Sequence, residues 1–233
     1  MKWIDYTRPH SLEEAVCLLE EAGGGARMLA GGTDLLVQLR IGRRQPDLVV
    51  DGKEIPELNE ISYDSKLGLT LGAAVPCYKV YGDTAISAAY PGLIDSASII
   101  GGIQIQGRAS IGGNLCNAAP SADAIPILIA LGATCTIASS KGSRQVAVED
   151  FCTGPGATIM QSGEIMVSLH IPPPVPNQGA HYRRFIPRNE MDIAVAGVGS
   201  LIEVDASSGQ ITKARIALAS VAPTPVRAYA AEE

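Results

Sequence analysis

The chain has 233 residues, 18 Lys and Arg against 24 Asp and Glu for a net charge of -6, and 46% hydrophobic residues; such a chain folds, and at this length about 70–75% of the unfolded surface can be buried without covalent staples. The acidic balance and 4% aromatic content exclude the basic footprint and stacking platform of a nucleic-acid binder. Five cysteines (Cys17, Cys77, Cys116, Cys135 and Cys152) share no short spacing suited to zinc or an iron–sulfur cluster, MKWIDYTRPHSLEE has no apolar signal region, and Pro126 and Gly132 break the longest uncharged stretch, so a cytoplasmic protein with no membrane span is expected.

In chain order, Ser11-Leu-Glu-Glu14 is a capping box, and Leu12, Ala15, Val16 and Leu19 recur at helical spacing until the glycines at 23–25. Residues 26–30 read as a buried strand, Gly31-Gly32 as a tight turn, Thr33-Asp34 as caps of a helix through Leu35, Leu36 and Leu39, and 47–51 as a further strand. The basic run Arg40, Arg43, Arg44 reads as a solvated helix end. After Ile55-Pro56 a second unit is expected: a strand over 66–74, a helix over 84–100, a hairpin of 133–139 with 144–148, and a strand over 165–171 that ends at Pro172-Pro173-Pro174. Strands over 194–204 and 211–220, joined by Ser207-Ser208-Gly209, begin a third, β-rich unit. The divisions are thus 1–56, 57–174 and 178–233.

No G-x-G-x-x-G, Walker A loop, H-E-x-x-H or G-x-S-x-G occurs, and His10, His170 and His181 are too scattered to suggest a metal site. Two segments share one grammar: Leu29-Ala30-Gly31-Gly32-Thr33-Asp34-Leu35 and Ala109-Ser110-Ile111-Gly112-Gly113-Asn114-Leu115. In each, a Gly-Gly pair precedes a short polar side chain, so backbone N–H groups can face an anion with no Cβ in the way. A lone pair of this kind is best read as a tight turn. Two matched pairs favour paired nests that clamp a pyrophosphate, the first reinforced by the helix after Thr33. Asp123 is the only charge between Arg108 and Lys141; it either caps the helix over 124–131 or binds a ligand hydroxyl.

AGGTDLL, ASIGGNLCNAAPSADAIPILIALGA, FCTGPGATIM, GEIMVSLHIP, PRNEMDIAVAGVG and VAPTPVRA follow one another along the chain, and in these motifs it resembles the FAD-binding medium subunit of the xanthine dehydrogenase and carbon monoxide dehydrogenase family of molybdenum hydroxylases. The resemblance implies an α+β fold: two α/β subdomains of the vanillyl-alcohol-oxidase (PCMH-type) FAD-binding fold, then a partial C-terminal α+β domain that stops about midway. Matched position by position, Met28, Leu29, Ala30, Gly31, Gly32, Thr33, Asp34 and Leu35 correspond to the first FAD loop, and Ser110, Ile111, Gly112, Gly113 and Asn114 to the second. Asp123 corresponds to a carboxylate on the sugar and adenine side, Ile100 and Gly101 to a cofactor-lining stretch, Met166 to an apolar residue against the isoalloxazine, and Arg184 to a basic residue near the flavin. A family member carries Lys where Arg184 stands, and geometry differs between the two. The four-cysteine cluster loop of the benzoyl-CoA-reducing branch is missing.

The function so implied is that of an electron-transfer subunit of an oxidoreductase, with FAD as cofactor and with a 2Fe-2S small subunit and a molybdopterin-binding large subunit as partners. FAD passes electrons from the clusters to NAD or another acceptor, and Arg184 is the candidate for stabilising charge on the reduced flavin. No residue stands out as a catalytic acid or base. The rivals are a stand-alone flavin-dependent oxidoreductase of the same fold and a truncated, non-catalytic FAD-binding module.

Overall fold

A computed structural model describes residues 2–189 and 191–233. It opens with β1 (Asp5–Thr7), α1 (Leu12–Ala22), β2 (Ala26–Leu29), α2 (Leu35–Arg40) and β3 (Leu48–Asp51). The cap of α1 forms reciprocally: the Ser11 hydroxyl accepts the Glu14 N–H at 3.2 Å, and the Glu14 carboxylate accepts the His10 N–H at 3.0 Å. Ala15, Val16 and Leu19 bury the apolar stripe of this helix. The three strands form a parallel sheet in the order β1-β3-β2, with Val50 opposite both Thr7 and Met28. Covered on both faces, Leu48–Val50 of β3 form an apolar run and not an alternation, closed by the buried Asp51.

The second region contains α3 (Pro56–Asn59), β4 (Ile61–Asp64), β5 (Gly68–Gly72), α4 (Cys77–Gly82), α5 (Thr84–Ala89), α6 (Pro91–Ala97), α7 (Ile103–Gln106), α8 (Ile111–Asn117) and α9 (Ala124–Ala130). The hairpin β6 (Thr134–Ser139) and β7 (Gly142–Ala147), the short pair β8 (Cys152–Gly154) and β9 (Ala157–Thr158), and β10 (Ile165–Ile171) complete it. Its main sheet is antiparallel, in the order β4-β5-β10-β6-β7. The single helix expected over 84–100 is two helices. Tyr90 precedes Pro91, and the proline ring forces it out of the helical region to φ -131 and ψ 59. Pro91 then starts α6, where its missing N–H costs nothing. Tyr90 is buried, and its hydroxyl donates to the Pro172 carbonyl at 3.0 Å, which fastens the proline run to the helical layer.

The last region is a meander of β11 (Gln178–Phe185), β12 (Ala196–Val204), β13 (Ile211–Ala219) and β14 (Val226–Arg227), followed by α10 (Tyr229–Glu232). β12 and β13 match the expected strands to within two residues. β11 has no counterpart in the sequence reading: its exposure alternates, but the inward positions are Gln178, Ala180, Tyr182 and Arg184, of which only Tyr182 is a large apolar side chain, so no apolar alternation is legible. α9 joins the regions: all its residues are buried, and it packs against α6 as well as β12 and β13. Gly199 of β12 permits this, since a Cβ there would come within 2.4 Å of the Pro126 carbonyl carbon. The main core runs from Ala15 to Ala217, and Leu29, Leu39 and Val49 form a second, small cluster. No helix among the described residues is long and apolar enough to cross a membrane.

Candidate functional site

A cavity of about 570 Å³ lies between the first parallel sheet and the helical layer of the second region, within the usual size range of small-molecule sites. Residues 28–35 form one wall, and Ser110, Gly112, Gly113 and Asn114 another. The two Gly-Gly segments meet. A Cβ on Gly31 would stand 1.8 Å from the Arg108 carbonyl oxygen and 3.0 Å from the Ala109 nitrogen, so only glycine allows the first loop to touch the second.

The two segments do not share one geometry, which corrects the expectation of paired bends. Gly32 turns through φ +78, whereas Gly112 and Gly113 lie inside the first turn of α8. Gly112 is needed for close approach, since a Cβ would stand 2.5 Å from the Ala73 carbonyl oxygen. The Ser110 hydroxyl caps α8 by accepting the Gly113 N–H at 3.0 Å. Asp34 occupies the N-cap position of α2 with a helical backbone and makes no capping bond; it lines the cavity.

The N–H groups of Gly31, Gly32, Thr33, Asp34 and Gly112 donate to no acceptor among the described residues. Backbone donors are otherwise almost always paired, and a run of them on the wall of a concavity is an anion-binding nest. α2 has six residues and α8 seven, so the individual donors matter more here than any helix dipole. Apolar surface continues the wall through Leu29, Ile100, Ile165 and Met166. A diphosphate joined to a flat ring system would find both donors and apolar cover in this cavity, and the residues present fit FAD. Among the described residues no group of three or more His, Cys, Asp or Glu is placed to hold a metal ion, and the five cysteines are free.

Some expected positions stand off the wall. Ile111 is fully buried, and Gly101, at φ +60, does not line the cavity although Ile100 does. Asp123 and Arg184 also fail to line it. They pair with each other at 2.9 Å, each side chain less than a tenth exposed. The Tyr182 hydroxyl donates to the other Asp123 oxygen at 2.9 Å, which it reaches by crossing Gly197, where a Cβ would come within 2.6 Å of it. Burial pushes the Asp123 carboxyl above its ordinary pKa, against the opposing pull of Arg184 and Tyr182. The same burial pushes the Tyr182 phenol up. Asp123 does not cap α9; the Asn114 side-chain oxygen accepts the Ala124 N–H at 3.1 Å, which ties the second loop to α9.

Residues that the sequence does not single out for a site complete the enclosure: Gln38, Asn117 and the segment 156–165 apart from Ile159, together with Arg44, which the sequence reads as part of a solvated helix end. Gln38 of α2 donates to Asn117 at the end of α8 at 3.0 Å, a second bridge between the walls. Gln38 lies four residues after Asp34 and therefore on the same helical face, the one signal that could have found it.

Comparison with known proteins identifies the family. Residues 2–174 match the family model described as FAD binding domain in molybdopterin dehydrogenase, and residues 181–233 that of the CO dehydrogenase flavoprotein C-terminal domain. The xanthine dehydrogenase FAD-binding subunit of Escherichia coli O157:H7 is 34% identical over 99% of this chain and 78% of its own length. The carbon monoxide dehydrogenase medium chain of Hydrogenophaga pseudoflava is 30% identical over 96% of this chain and 77% of its own. The structure of reconstituted CO dehydrogenase from Oligotropha carboxidovorans superposes with a TM-score of 0.94 at 30% identity, covering 99% of this chain and 79% of that one. From the glycine-lined cavity to the terminal meander, the chain belongs to the FAD-binding medium-subunit family of the molybdopterin dehydrogenases.

Proposed function

We propose that this chain is the FAD-binding electron-transfer subunit of a molybdenum hydroxylase complex, with units 1–56 and 57–174 enclosing the cofactor and 178–233 as the C-terminal unit. The observation that carries this reading is the run of unpaired N–H donors from Gly31 to Asp34, set against Gly112 across one cavity. These donors bind the diphosphate, and Gly31 and Gly112 keep its path free of side-chain atoms. Ile100, Ile165 and Met166 exclude water from the ring, and the Asp34 carboxylate accepts hydrogen bonds from hydroxyls of the cofactor chain. FAD, when bound, accepts electrons singly or in pairs and so couples iron–sulfur clusters to NAD or another acceptor. Arg184, neutralised by Asp123, orients β11 behind the site and takes no charge from the cofactor directly.

The partners under this reading are a 2Fe-2S small subunit and a molybdopterin-binding large subunit, which carries the substrate pocket. The test is spectroscopic. The purified chain should retain FAD and show a flavin absorbance spectrum. Its flavin should stay oxidised when a purine or aldehyde substrate is added to the chain alone, and bleach when the two partner subunits are also present. A correctly folded chain unable to take up FAD, or flavin reduced efficiently by substrate without partners, would overturn it.

A further inference from the structure

A second, smaller cavity of about 230 Å³ opens beside the first and is lined by Gly24, Arg27, Arg43, Arg44, Gln45 and Pro46. Gly24, Arg27 and Arg44 line both cavities, so the two are contiguous. In sequence, Arg43 and Arg44 read with Arg40 as a solvated helix end. Arg40 is exposed as expected, but Arg44 folds inward: its Nε donates to the Gln38 side-chain oxygen at 2.7 Å, and Gln38 is in turn anchored to Asn117. Arg27 is likewise fixed, donating to the carbonyls of Gly24 at 3.0 Å and Ala26 at 2.6 Å.

None of the three guanidiniums pairs with a carboxylate among the described residues. Asp47, next to Pro46, is taken by Lys2 at 2.5 Å. Burial, with the charges of Arg27 and Arg43, pushes the Arg44 pKa below its ordinary value. Like charges gathered in one concavity repel unless an anion joins them, and the planar guanidinium fork matches phosphate oxygens two at a time. The volume is below the roughly 300 Å³ at which sites for whole drug-sized ligands begin, and it suits a phosphate or diphosphate group and not a complete nucleotide.

We propose that Arg27, Arg43 and Arg44 form a phosphate-binding site at the mouth of the large cavity, which takes the phosphate groups of a nucleotide. The phosphates belong either to a second nucleotide that docks beside the cofactor or to the cofactor itself, and the inference does not rest on the flavin reading. The probe is inorganic pyrophosphate, titrated calorimetrically into the full chain with and without FAD. Both forms are compared with Arg43→Gln, whose exposed side chain makes no contact needed for folding, and with Arg27→Gln/Arg43→Gln. Binding to the FAD-loaded chain, weakened about tenfold by Arg43→Gln and further by the double variant, assigns the site to a second nucleotide. Binding to the FAD-free chain alone, with FAD affinity falling about tenfold in Arg43→Gln, assigns it to the cofactor. No pyrophosphate binding in either form, or binding that the double variant leaves unchanged, overturns the proposal. A chain that never takes up FAD yet binds pyrophosphate through Arg43 sinks the flavin reading and leaves this site standing.

Discussion

Gly113→Val separates the role of the second loop in binding from its role in folding. A Cβ at this position would come within 2.8 Å of the Ser110 hydroxyl, the group that caps α8 through the Gly113 N–H. The hydroxyl must rotate away, and loss of such a cap costs about 1 kcal/mol. Replacing glycine inside a helix returns roughly 0.3–0.5 kcal/mol of propensity, so net stability should fall by less than about 1 kcal/mol, or about 2–4 °C in Tm at this chain length. Binding should suffer more. A branched side chain beside the Gly112 N–H holds a diphosphate off the donors, and each charge-assisted hydrogen bond lost is worth about 1.5–3 kcal/mol, from about tenfold to more than a hundredfold in affinity. Titration of the apoprotein with FAD, followed by quenching of flavin fluorescence, reads the affinity, and a thermal melt reads the fold. Parental FAD affinity in a variant that melts normally would refute the assignment of this loop to the diphosphate.

Gly31→Ala places a methyl group 1.8 Å from a backbone oxygen, a clash that no rotamer relieves; it should cost at least about 1–3 kcal/mol, and a parental Tm would show that the loops do not touch. Arg184→Met leaves the buried Asp123 carboxylate without its cation, which should cost about 3–5 kcal/mol near neutral pH, with most of the loss recovered in Asp123→Asn/Arg184→Met. Burial raises the Asp123 pKa against the pull of Arg184; with that pull removed the folded-state pKa rises further, so the deficit of Arg184→Met in urea melts should shrink as pH is lowered. The Arg227 guanidinium holds the Glu232 carboxyl below its unfolded value of 4.5, and that of Arg144 does the same for Glu164. Stability from these pairs is present above pH 4.5 and lost as pH falls through the lowered folded values, so Glu232→Gln should flatten the acid side of the stability profile; an unchanged profile counts against the pair.

Local chemistry made some features readable and long-range packing hid others. α1 was legible because Ser11, Glu14 and the apolar stripe all act within one helix, and β10 because an apolar run ends at three prolines. The meeting of the two glycine-rich loops was legible from their shared composition, but their geometries were not. Glycine pairs usually mark turns, and nothing local announces that Gly112 is there to let Ala73 approach. Asp123 stood out as an isolated charge, yet its partners Tyr182 and Arg184 come from a strand some sixty residues away that has no readable pattern. Arg44 looked like a helix-end cation because its anchor, Gln38, is itself oriented by Asn117 across the cavity.

The seven hidden residues of α9, with Gly199 pressed against their backbone, set a limit on how the molecule can be divided. A polypeptide cut within the proline run would keep both phosphate-facing loops and still present a bare greasy rod to solvent where β12 and β13 had lain. Such a fragment should clump or occupy chaperones before it holds any nucleotide. The meander after residue 178 therefore serves as a lid on the hydrophobic interior, and excising it would forfeit the very part of the chain it does not belong to.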